Sequence, residues 1–207
     1  MSDKFASEID FLSYAMGMNM GEYLTRTPIE VNTQAALDGV RDFLAKSPKI
    51  SQEEYVKAMQ VLQAKMQAAV QKQVDGLAAA NIEAEKKFMA ENGAREGVKT
   101  TASGLQYEVI AEGKGSKPLA HSKVRVHYTG TLLDGTEFDS SVRRGEPAEF
   151  GVNQVIAGWT EALQLMSPGS KYRLFIPARL GYGEHGAGQA IPPNAALIFD
   201  VELLDIL

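Results

Sequence analysis

The side chains best suited to chemistry are concentrated in residues 124–141, which read VRVHYTGTLLDGTEFDSS. This stretch joins an alternating strand pattern to an Asp-Gly hairpin signal, and it ends with an aromatic residue, Phe138, directly beside an acid, Asp139. Other aromatic and aliphatic side chains could line an apolar pocket with this pair: Tyr128, Val155, Ile156, Trp159, Tyr182 and Phe199. Taken singly, each such residue is more often part of a hydrophobic core than of a binding site.

The composition excludes several other kinds of chemistry. The chain has no cysteine, which excludes disulfides, thiolate zinc sites and cysteine nucleophiles. Its three histidines, His121, His127 and His185, lack the spacing of a metal motif, so we predict no metal and no cofactor. The net charge of -5 is spread over both halves without a basic face, and nucleic acid is therefore not an expected partner. No apolar run approaches the length of a membrane span.

Three further motifs follow residues 124–141 along the chain: VIAGW at 155–159, GYG at 181–183 and AIPPNAALIFDVELL at 190–204. With them, the carboxy-terminal half resembles the FKBP-type peptidyl-prolyl cis-trans isomerases. The resemblance implies rotation about the amide that precedes a proline, which faces a barrier of about 18 to 20 kcal/mol. Lowering it requires no nucleophile, because an apolar pocket that grips the proline ring favours the twisted, less dipolar amide.

The resemblance also implies roles for individual residues. In the family, the residue matching Trp159 forms the floor of the proline pocket, and Asp139 matches an acid that polarises carbonyl groups of bound ligands. The hydroxyl of Tyr182 and the backbone N–H of Ile156 match donors to a bound carbonyl. The implied catalytic set is Tyr128, Phe138, Asp139, Trp159, Tyr182 and Phe199, and the implied substrate-binding set is Phe150, Val155, Ile156 and Ile191. The open alternative for Asp139 is a structural hydrogen-bond acceptor, with Tyr128 or Arg144 as its donor.

The amino-terminal half has the pattern of helices. Residues 51–91 contain no proline and carry one apolar stripe at steps of three and four: Tyr55, Met59, Leu62, Met66, Ala69, Leu77, Ala80, Ala84 and Phe88. Ser51 and Glu54 form a capping box at the start of this predicted long helix, and Asn92-Gly93 provides its end. Two shorter helices are predicted over residues 7–25 and 33–46.

The two predicted short helices cannot build an adequate core by themselves, so association of two chains is expected. Met16, Met18 and Met20 are interpreted as interface residues, with packing inside a monomeric core as the alternative. The predicted domains are a helical dimerisation domain at 1–50, a long connecting helix at 51–95 and an FKBP-type domain at 96–207. Strand patterns at 105–110, 123–129, 171–176 and 196–204, with a short helix at 158–165, predict an α+β fold: an antiparallel sheet wrapped on one helix.

This combination resembles the bacterial Mip-like group, in which the amino-terminal segments of two chains interlock and long helices splay the catalytic domains apart. The predicted function is a homodimeric peptidyl-prolyl isomerase that assists folding and binds unfolded or proline-containing polypeptides. The alternative is a chaperone whose isomerase activity is incidental. Macrolide inhibitors are a further implied ligand, but Ala148 replaces an aromatic wall residue of many eukaryotic members. The predicted location is the cytoplasm, with the periplasm or cell surface as the alternative if a signal peptide has been removed.

Overall fold

The computed structural model describes residues 4–207, and its first elements are three helices: α1 Glu8–Arg26, α2 Thr33–Leu44 and α3 Gln52–Gly93. The first three residues, which belong to the predicted segment 1–50, lie outside the described part. The chain divides into two compact units, of which the first ends at Gln73 and the second is Val74–Leu207. Because α3 continues through this boundary, its first half belongs to one unit and its second half to the other. The predicted division at residues 50 and 95 stays a prediction.

Side-chain caps explain where the three helices begin. The hydroxyl of Ser7 accepts from the N–H of Asp10 at 3.1 Å, and the side chain of Asn32 accepts from the N–H of Ala35 at 3.0 Å. The predicted capping box of α3 is confirmed, because the Glu54 carboxylate accepts from the Ser51 N–H at 2.8 Å while Ser51 Oγ accepts from the Glu54 N–H at 3.2 Å.

The first unit has little interior of its own. Neither α1 nor α2 contains a buried residue, and large apolar side chains such as Leu12, Met16 and Phe43 are 53%, 70% and 78% exposed. In α3, Leu62, Met66 and Ala69 of the predicted stripe are half-buried, whereas Tyr55 and Met59 are exposed.

Within residues 4–207, no helix combines the length and the apolar character needed to cross a lipid bilayer.

The second unit is built on an antiparallel sheet that contains seven strands within residues 4–207. They are β1 Val98–Thr100, β2 Gln106–Ala111, β3 Lys123–Leu132, β4 Glu137–Ser140, β5 Ala148–Gly151, β6 Lys171–Ile176 and β7 Leu197–Ile206. Their order is β1-β2-β6-β7-β3-β4, and β5 pairs with the first part of β3. Two short helices complete the unit: α4 Ser141–Arg144 directly after β4, and α5 Ala157–Leu163 between β5 and β6.

Helix α5 lies close against the sheet and completes the core. A Cβ atom on Gly158 would lie 2.6 Å from Cγ2 of Ile176, so glycine is what permits this close approach. The adjoining Trp159, Ala162 and Leu163 are buried among the inward residues of β3, β6 and β7. The predicted antiparallel sheet with one short helix is therefore confirmed.

The predicted hairpin at Asp134-Gly135 is also confirmed. Gly135 has a φ of 87°, in the left-handed region that glycine adopts readily, and Asp134 accepts from the N–H of Thr136 at 2.9 Å. The turn closes through the N–H of Leu132, which donates to the carbonyl of Thr136 at 2.9 Å. Sequence patterns did not predict β1, β4 or β5, which have only three or four residues each.

In the second unit, the apolar stripe predicted for α3 is wrong at Leu77, Ala80 and Ala84 and confirmed at Phe88. Leu77 is 48% exposed, and Ala80 and Ala84 are exposed as well, whereas the half-buried or buried positions are Ala78, Asn81, Glu85, Phe88, Met89 and Asn92. Three of these six positions are polar, and they are tolerated on the covered face because groups of the sheet unit provide their hydrogen-bond partners.

Candidate active site

A pocket of about 660 Å³ opens between the sheet and α5. Its walls contain all ten residues that the sequence analysis assigned to the site, together with two that it did not: Tyr128, Phe138, Asp139, Phe150, Gln154, Val155, Ile156, Trp159, Tyr182, Ala190, Ile191 and Phe199. The structure therefore brings together residues that are spread over more than seventy positions of the chain.

Strand alternation supplies two of the walls. Along β3, every second residue is buried, and Tyr128 follows Val124 and Val126 on the inward face. On β7 the same alternation places Phe199 inward, beside the β3 residue Gly130 in the strand register. Tyr128 and Phe199 consequently face the same space, with ring centroids 6.3 Å apart.

A β-bulge explains why two successive residues of β4 both reach the pocket. Gly130 pairs with Asp139 and Thr131 pairs with Glu137, so Phe138 is the extra residue between these pairs. In a regular strand, Phe138 and Asp139 would point to opposite faces of the sheet. The bulge therefore allows an apolar ring and a carboxylate to line one pocket.

Trp159 lines the pocket and is only 4% exposed. Three rings stand nearly perpendicular to its indole: Tyr128 at 5.2 Å, Phe199 at 5.2 Å and Phe150 at 5.8 Å between ring centroids. Such edge-to-face contacts are favourable and fix the orientation of the indole. The indole N–H is buried and has no hydrogen-bond partner among residues 4–207.

The polar edge of the pocket is a network of three side chains. The Tyr128 hydroxyl donates to one oxygen of Asp139, Arg144 donates to the other, and Arg144 Nη2 also donates to the Tyr128 oxygen at 3.0 Å. The guanidinium carbon of Arg144 lies 5.7 Å from the centre of the Tyr128 ring. Both donors that the sequence suggested for Asp139 are thus present.

Burial and the hydrogen-bond network shift the pKa values of Tyr128 and Asp139 in opposite directions. Burial raises the pKa of Tyr128, and its hydrogen bond to Asp139 raises it further. For Asp139, burial is the largest single effect and would raise the pKa, but the hydrogen bonds from Tyr128 and Arg144 together outweigh it and lower the pKa. At neutral pH the site therefore presents a protonated phenol and an ionised carboxylate.

The two other predicted donors border the opening. Ile156 is the N-cap of α5, and its carbonyl accepts from the N–H of Trp159 at 2.9 Å, while its own N–H forms no hydrogen bond within residues 4–207. Tyr182 follows a short 3-10 helix, Ala178–Leu180, and its side chain is 41% exposed. Both residues line the pocket, and their roles as donors to a bound carbonyl stay predictions.

Sequence reasoning missed Gly130, which does not line the pocket but sets its width. A Cβ atom on Gly130 would lie 2.6 Å from both Phe138 Cζ and Phe199 Cε1, and these two rings pack edge to face at 5.4 Å. The available signal was the period of two along β3, which places position 130 on the inward face after Tyr128.

Within residues 4–207, no three histidine or acidic side chains are grouped so as to hold a metal ion.

An antiparallel sheet wrapped on one short helix, with an aromatic pocket between them, is the arrangement that the resemblance to the FKBP-type isomerases predicts. Comparison with known families agrees. Residues 114–204 match the family described as FKBP-type peptidyl-prolyl cis-trans isomerase, and residues 10–109 match the domain amino terminal to FKBP-type peptidyl-prolyl isomerase.

Individual relatives extend the similarity to nearly the whole chain. The FKBP-type peptidyl-prolyl cis-trans isomerase FkpA of Aeromonas hydrophila is 50% identical over 200 residues, which cover 93% of this chain and 74% of that protein. The peptidyl-prolyl cis-trans isomerase Mip of Coxiella burnetii is 38% identical over 201 residues, covering 97% and 87%. The crystal structure of FkpA from Escherichia coli has a TM-score of 0.84 at 37% identity and covers 98% of both chains.

The chain belongs to the FKBP-type peptidyl-prolyl cis-trans isomerases, in the group with an amino-terminal helical extension. It is accordingly a peptidyl-prolyl cis-trans isomerase of the FkpA type. The predicted family, its resemblance to Mip and the fold class are confirmed.

Proposed function

We propose that this isomerase acts without covalent chemistry in the aromatic pocket, and that it works on unfolded chains as a homodimer joined through its amino-terminal helices. The observation that supports the first part is the meeting of all ten predicted site residues in one pocket. The observation that supports the second is the absence of any buried residue in α1 and α2.

The proposed catalysis follows from the physics of the amide. A planar X-Pro amide is more dipolar than the twisted form, so transfer from water to an apolar site disfavours the planar ground state. The proline ring would rest on Trp159 between Tyr128 and Phe199, while Tyr182 or the Ile156 N–H donates to a substrate carbonyl. Asp139 is ionised and already accepts two hydrogen bonds, which suits electrostatic polarisation of a carbonyl but not proton transfer.

Three substitutions test the pocket: Phe138→Ala, Asp139→Ala and Trp159→Ala, each compared with Asp205→Ala at an exposed position near the end of β7. The measurement is kcat/KM for cis-to-trans isomerisation of a short X-Pro peptide, after the folded state of each variant is checked by circular dichroism. We expect the three pocket variants to lose activity while the control keeps it. Full activity in folded Trp159→Ala would refute the assignment of the floor.

The dimer proposal rests on surface chemistry of the first unit. Along α1, Ile9, Leu12, Met16 and Met20 are exposed, and Tyr23 lines a groove of about 1170 Å³ whose other lining residues belong to α3, among them Tyr55 and Met59. An apolar surface of this extent is costly in water, and a second copy of the same chain can cover it symmetrically. Methionine side chains adapt readily to such an interface.

Sedimentation equilibrium tests the dimer directly. We expect a mass of twice 22.4 kDa for the intact protein and 22.4 kDa for the double variant Leu12→Asp, Met16→Asp, whose charges would be buried in the interface. Glu8→Ala at the exposed start of α1 is the matched control and should leave the dimer intact. A monomeric intact protein at micromolar concentration would refute the proposal.

Chaperone-like binding is the final part of the proposed function, and a pure holdase is its rival. A dimer presents two pockets to one unfolded chain, which raises the effective concentration of the second site after the first has bound. Refolding of a proline-limited protein separates the two functions from each other. If folded Trp159→Ala still accelerates that refolding as well as the intact protein does, isomerisation is incidental and the holdase function is favoured.

The location of the protein stays a prediction. We propose the cytoplasm, with the periplasm or cell surface as the alternative, and fractionation of cells that produce the protein from its own gene decides between them.

Macrolide binding also stays a prediction. Macrolides would enter the same pocket as the proline ring, so calorimetric titration with a macrolide should show binding to the intact protein and none to Trp159→Ala.

A further inference from the structure

One wall of the pocket is a loop that folds on itself. Residues 178–195, here called the pocket loop, carry Tyr182, Ala190 and Ile191 to the pocket. Inside it, Ala187 and Ile191 exchange two backbone hydrogen bonds, of 2.8 and 3.1 Å, and the N–H of Asn194 donates to the carbonyl of Gly183 at 2.9 Å. These cross-links stiffen the loop, so contacts at its two ends help to position the residues between them.

Both ends of the pocket loop are hydrogen-bonded to the second half of α3. At the first end, Glu85 Oε2 accepts from the backbone N–H of Ala178 at 2.6 Å. Near the last, Asn81 Nδ2 donates to the carbonyl of Pro193 at 2.8 Å. Asn81 and Glu85 are four residues apart, so their side chains lie on one face of the helix and reach the loop together.

The helix is itself fixed to the sheet beyond these two residues. The Asn92 side chain, 3% exposed, donates to Gln106 Oε1 at 2.8 Å, and Gln106 Nε2 donates to the carbonyl of Met89 at 2.8 Å. The rings of Phe88 on α3 and Phe175 on β6 lie 5.8 Å apart. This half of α3 is therefore a rigid support against which the loop can be held.

We propose that Asn81 and Glu85 are positioning residues for the isomerase, because their hydrogen bonds to Pro193 and Ala178 hold the pocket loop where Tyr182 and Ile191 contact the substrate. This inference rests on the pocket assignment proposed above. Neither residue touches the pocket, and each acts through the backbone of the loop. Nothing in their sequence surroundings distinguishes them from ordinary polar positions of a helix.

The loop has other supports, which limit the expected effect: Ile191 and Ala195 are buried in the core, and Arg179 forms a hydrogen bond outside the loop. Arg179 donates to the carbonyl of Ser103, and the Ser103 hydroxyl donates to Glu161 on α5 at 2.5 Å. Loss of Asn81 or Glu85 therefore loosens the loop without releasing it. We expect kcat/KM to fall about three- to tenfold for each, the rate equivalent of one hydrogen bond. The fall should come mainly from a higher KM, because Tyr182 and Ile191 bind substrate.

The test uses the full chain with four variants. Asn81→Ala and Asn81→Asp both remove the donor to Pro193, the second with nearly unchanged shape, and Glu85→Ala removes the acceptor for Ala178. Glu85→Gln keeps an oxygen in the same place and should recover most of the activity that Glu85→Ala loses. Glu83→Ala and Lys87→Ala, at exposed positions of the same helix, are the matched controls and should match the intact protein.

Two readouts separate positioning from simple stabilisation of the helix. The first is kcat and KM measured separately on protein shown to be folded. The second is fluorescence of Trp159, the one tryptophan of the chain, which should shift to longer wavelength when the pocket loop loosens and water reaches the floor. Lower unfolding free energy with unchanged KM and unchanged fluorescence would mean that the two residues only fasten the helix, and would overturn the inference.

The remaining outcomes are equally decisive. If Glu85→Gln and Glu85→Ala lose the same amount of kcat/KM, the oxygen that accepts from the Ala178 N–H does not position the loop. That result would remove Glu85 from the proposal. Failure of the pocket assignment has a different signature, because Trp159→Ala would then keep its activity. If Asn81→Ala does not fold, Asn81→Asp and Glu85→Gln still decide, and amide exchange of Ala178 reports directly whether its N–H has lost its acceptor.

Discussion

At the level of single residues, the pocket edge keeps one acid charged and one phenol neutral. Hydrogen bonds from Tyr128 and Arg144 hold the pKa of Asp139 below its ordinary value despite burial, and burial with the Asp139 hydrogen bond holds the pKa of Tyr128 above its own. Both groups therefore keep one protonation state across the neutral range. We expect kcat/KM for a short peptide to be nearly constant from about pH 6 to about pH 8.

Asp139 should also contribute to stability in a pH-dependent way. Because its pKa in the folded protein lies below the ordinary value of 3.8, its contribution is fully present above that value and is lost as the pH falls through the folded pKa. We expect the difference in free energy of unfolding between the intact protein and Asp139→Asn to be constant above about pH 5 and to shrink below about pH 4. Urea denaturation over a pH series measures it, and a difference that grows on acidification would contradict the assigned hydrogen bonds.

Gly130 controls the width of the pocket by having no side chain. A Cβ atom there would lie 2.6 Å from the rings of both Phe138 and Phe199, which are packed edge to face against each other. We expect Gly130→Ala to lower the unfolding free energy by about 1 to 3 kcal/mol and kcat/KM by about tenfold or more. Denaturation and peptide kinetics test this, and unchanged values of both would show that the rings adapt.

The predictability of the site follows from how each residue acts. Trp159 and Phe199 are large, apolar and part of recognisable motifs, so sequence alone identified them. Gly130 acts by the space that it leaves, and Asn81 and Glu85 act through backbone groups more than ninety positions away. Such effects depend on which segments the fold brings together, and no local sequence pattern predicts them.

At the level of elements, strong local signals gave correct predictions, whereas the strands of three or four residues were not predicted. The capping box at Ser51 and the alternation along β3 specify their elements by themselves. Strands β4 and β5 have four residues each and form because β3 pairs with them, so their formation is decided by tertiary structure. The bulge at Phe138 likewise arises from the register with β3.

The effect of helix propensity on stability can be tested at Gly76, which lies in the interior of α3. Nothing lies within 4 Å of a Cβ atom added there. Since glycine costs a helix interior about 1 kcal/mol relative to alanine, we expect Gly76→Ala to raise the unfolding free energy by about that amount. Peptide isomerase activity should not change. A destabilised variant in urea denaturation would show that α3 requires the glycine backbone at this position.

At the level of the whole molecule, the boundary between the two compact units lies inside α3 at Gln73, and not at its end. Residues 74–93 belong with the catalytic sheet through Asn81, Glu85, Phe88 and Asn92. Sequence composition changes near residue 100, where helix patterns give way to strand and turn patterns, and it therefore favoured a boundary at residue 95. Composition follows secondary structure, whereas a compact unit is defined by which residues lie close together in the fold.

Two truncated proteins distinguish these boundaries. Residues 74–207 keep the contacts that Asn81, Glu85, Phe88 and Asn92 make with the sheet unit, so we expect their peptide kcat/KM to stay within about twofold of that of the intact chain. Residues 96–207 lose Asn92 and leave the buried side chain of Gln106 without that partner, at a cost of about 1 to 3 kcal/mol in unfolding free energy. They also lose both helix contacts of the pocket loop, so kcat/KM should fall about threefold or more. Equal stability and activity of the two fragments would place the functional boundary at the end of α3.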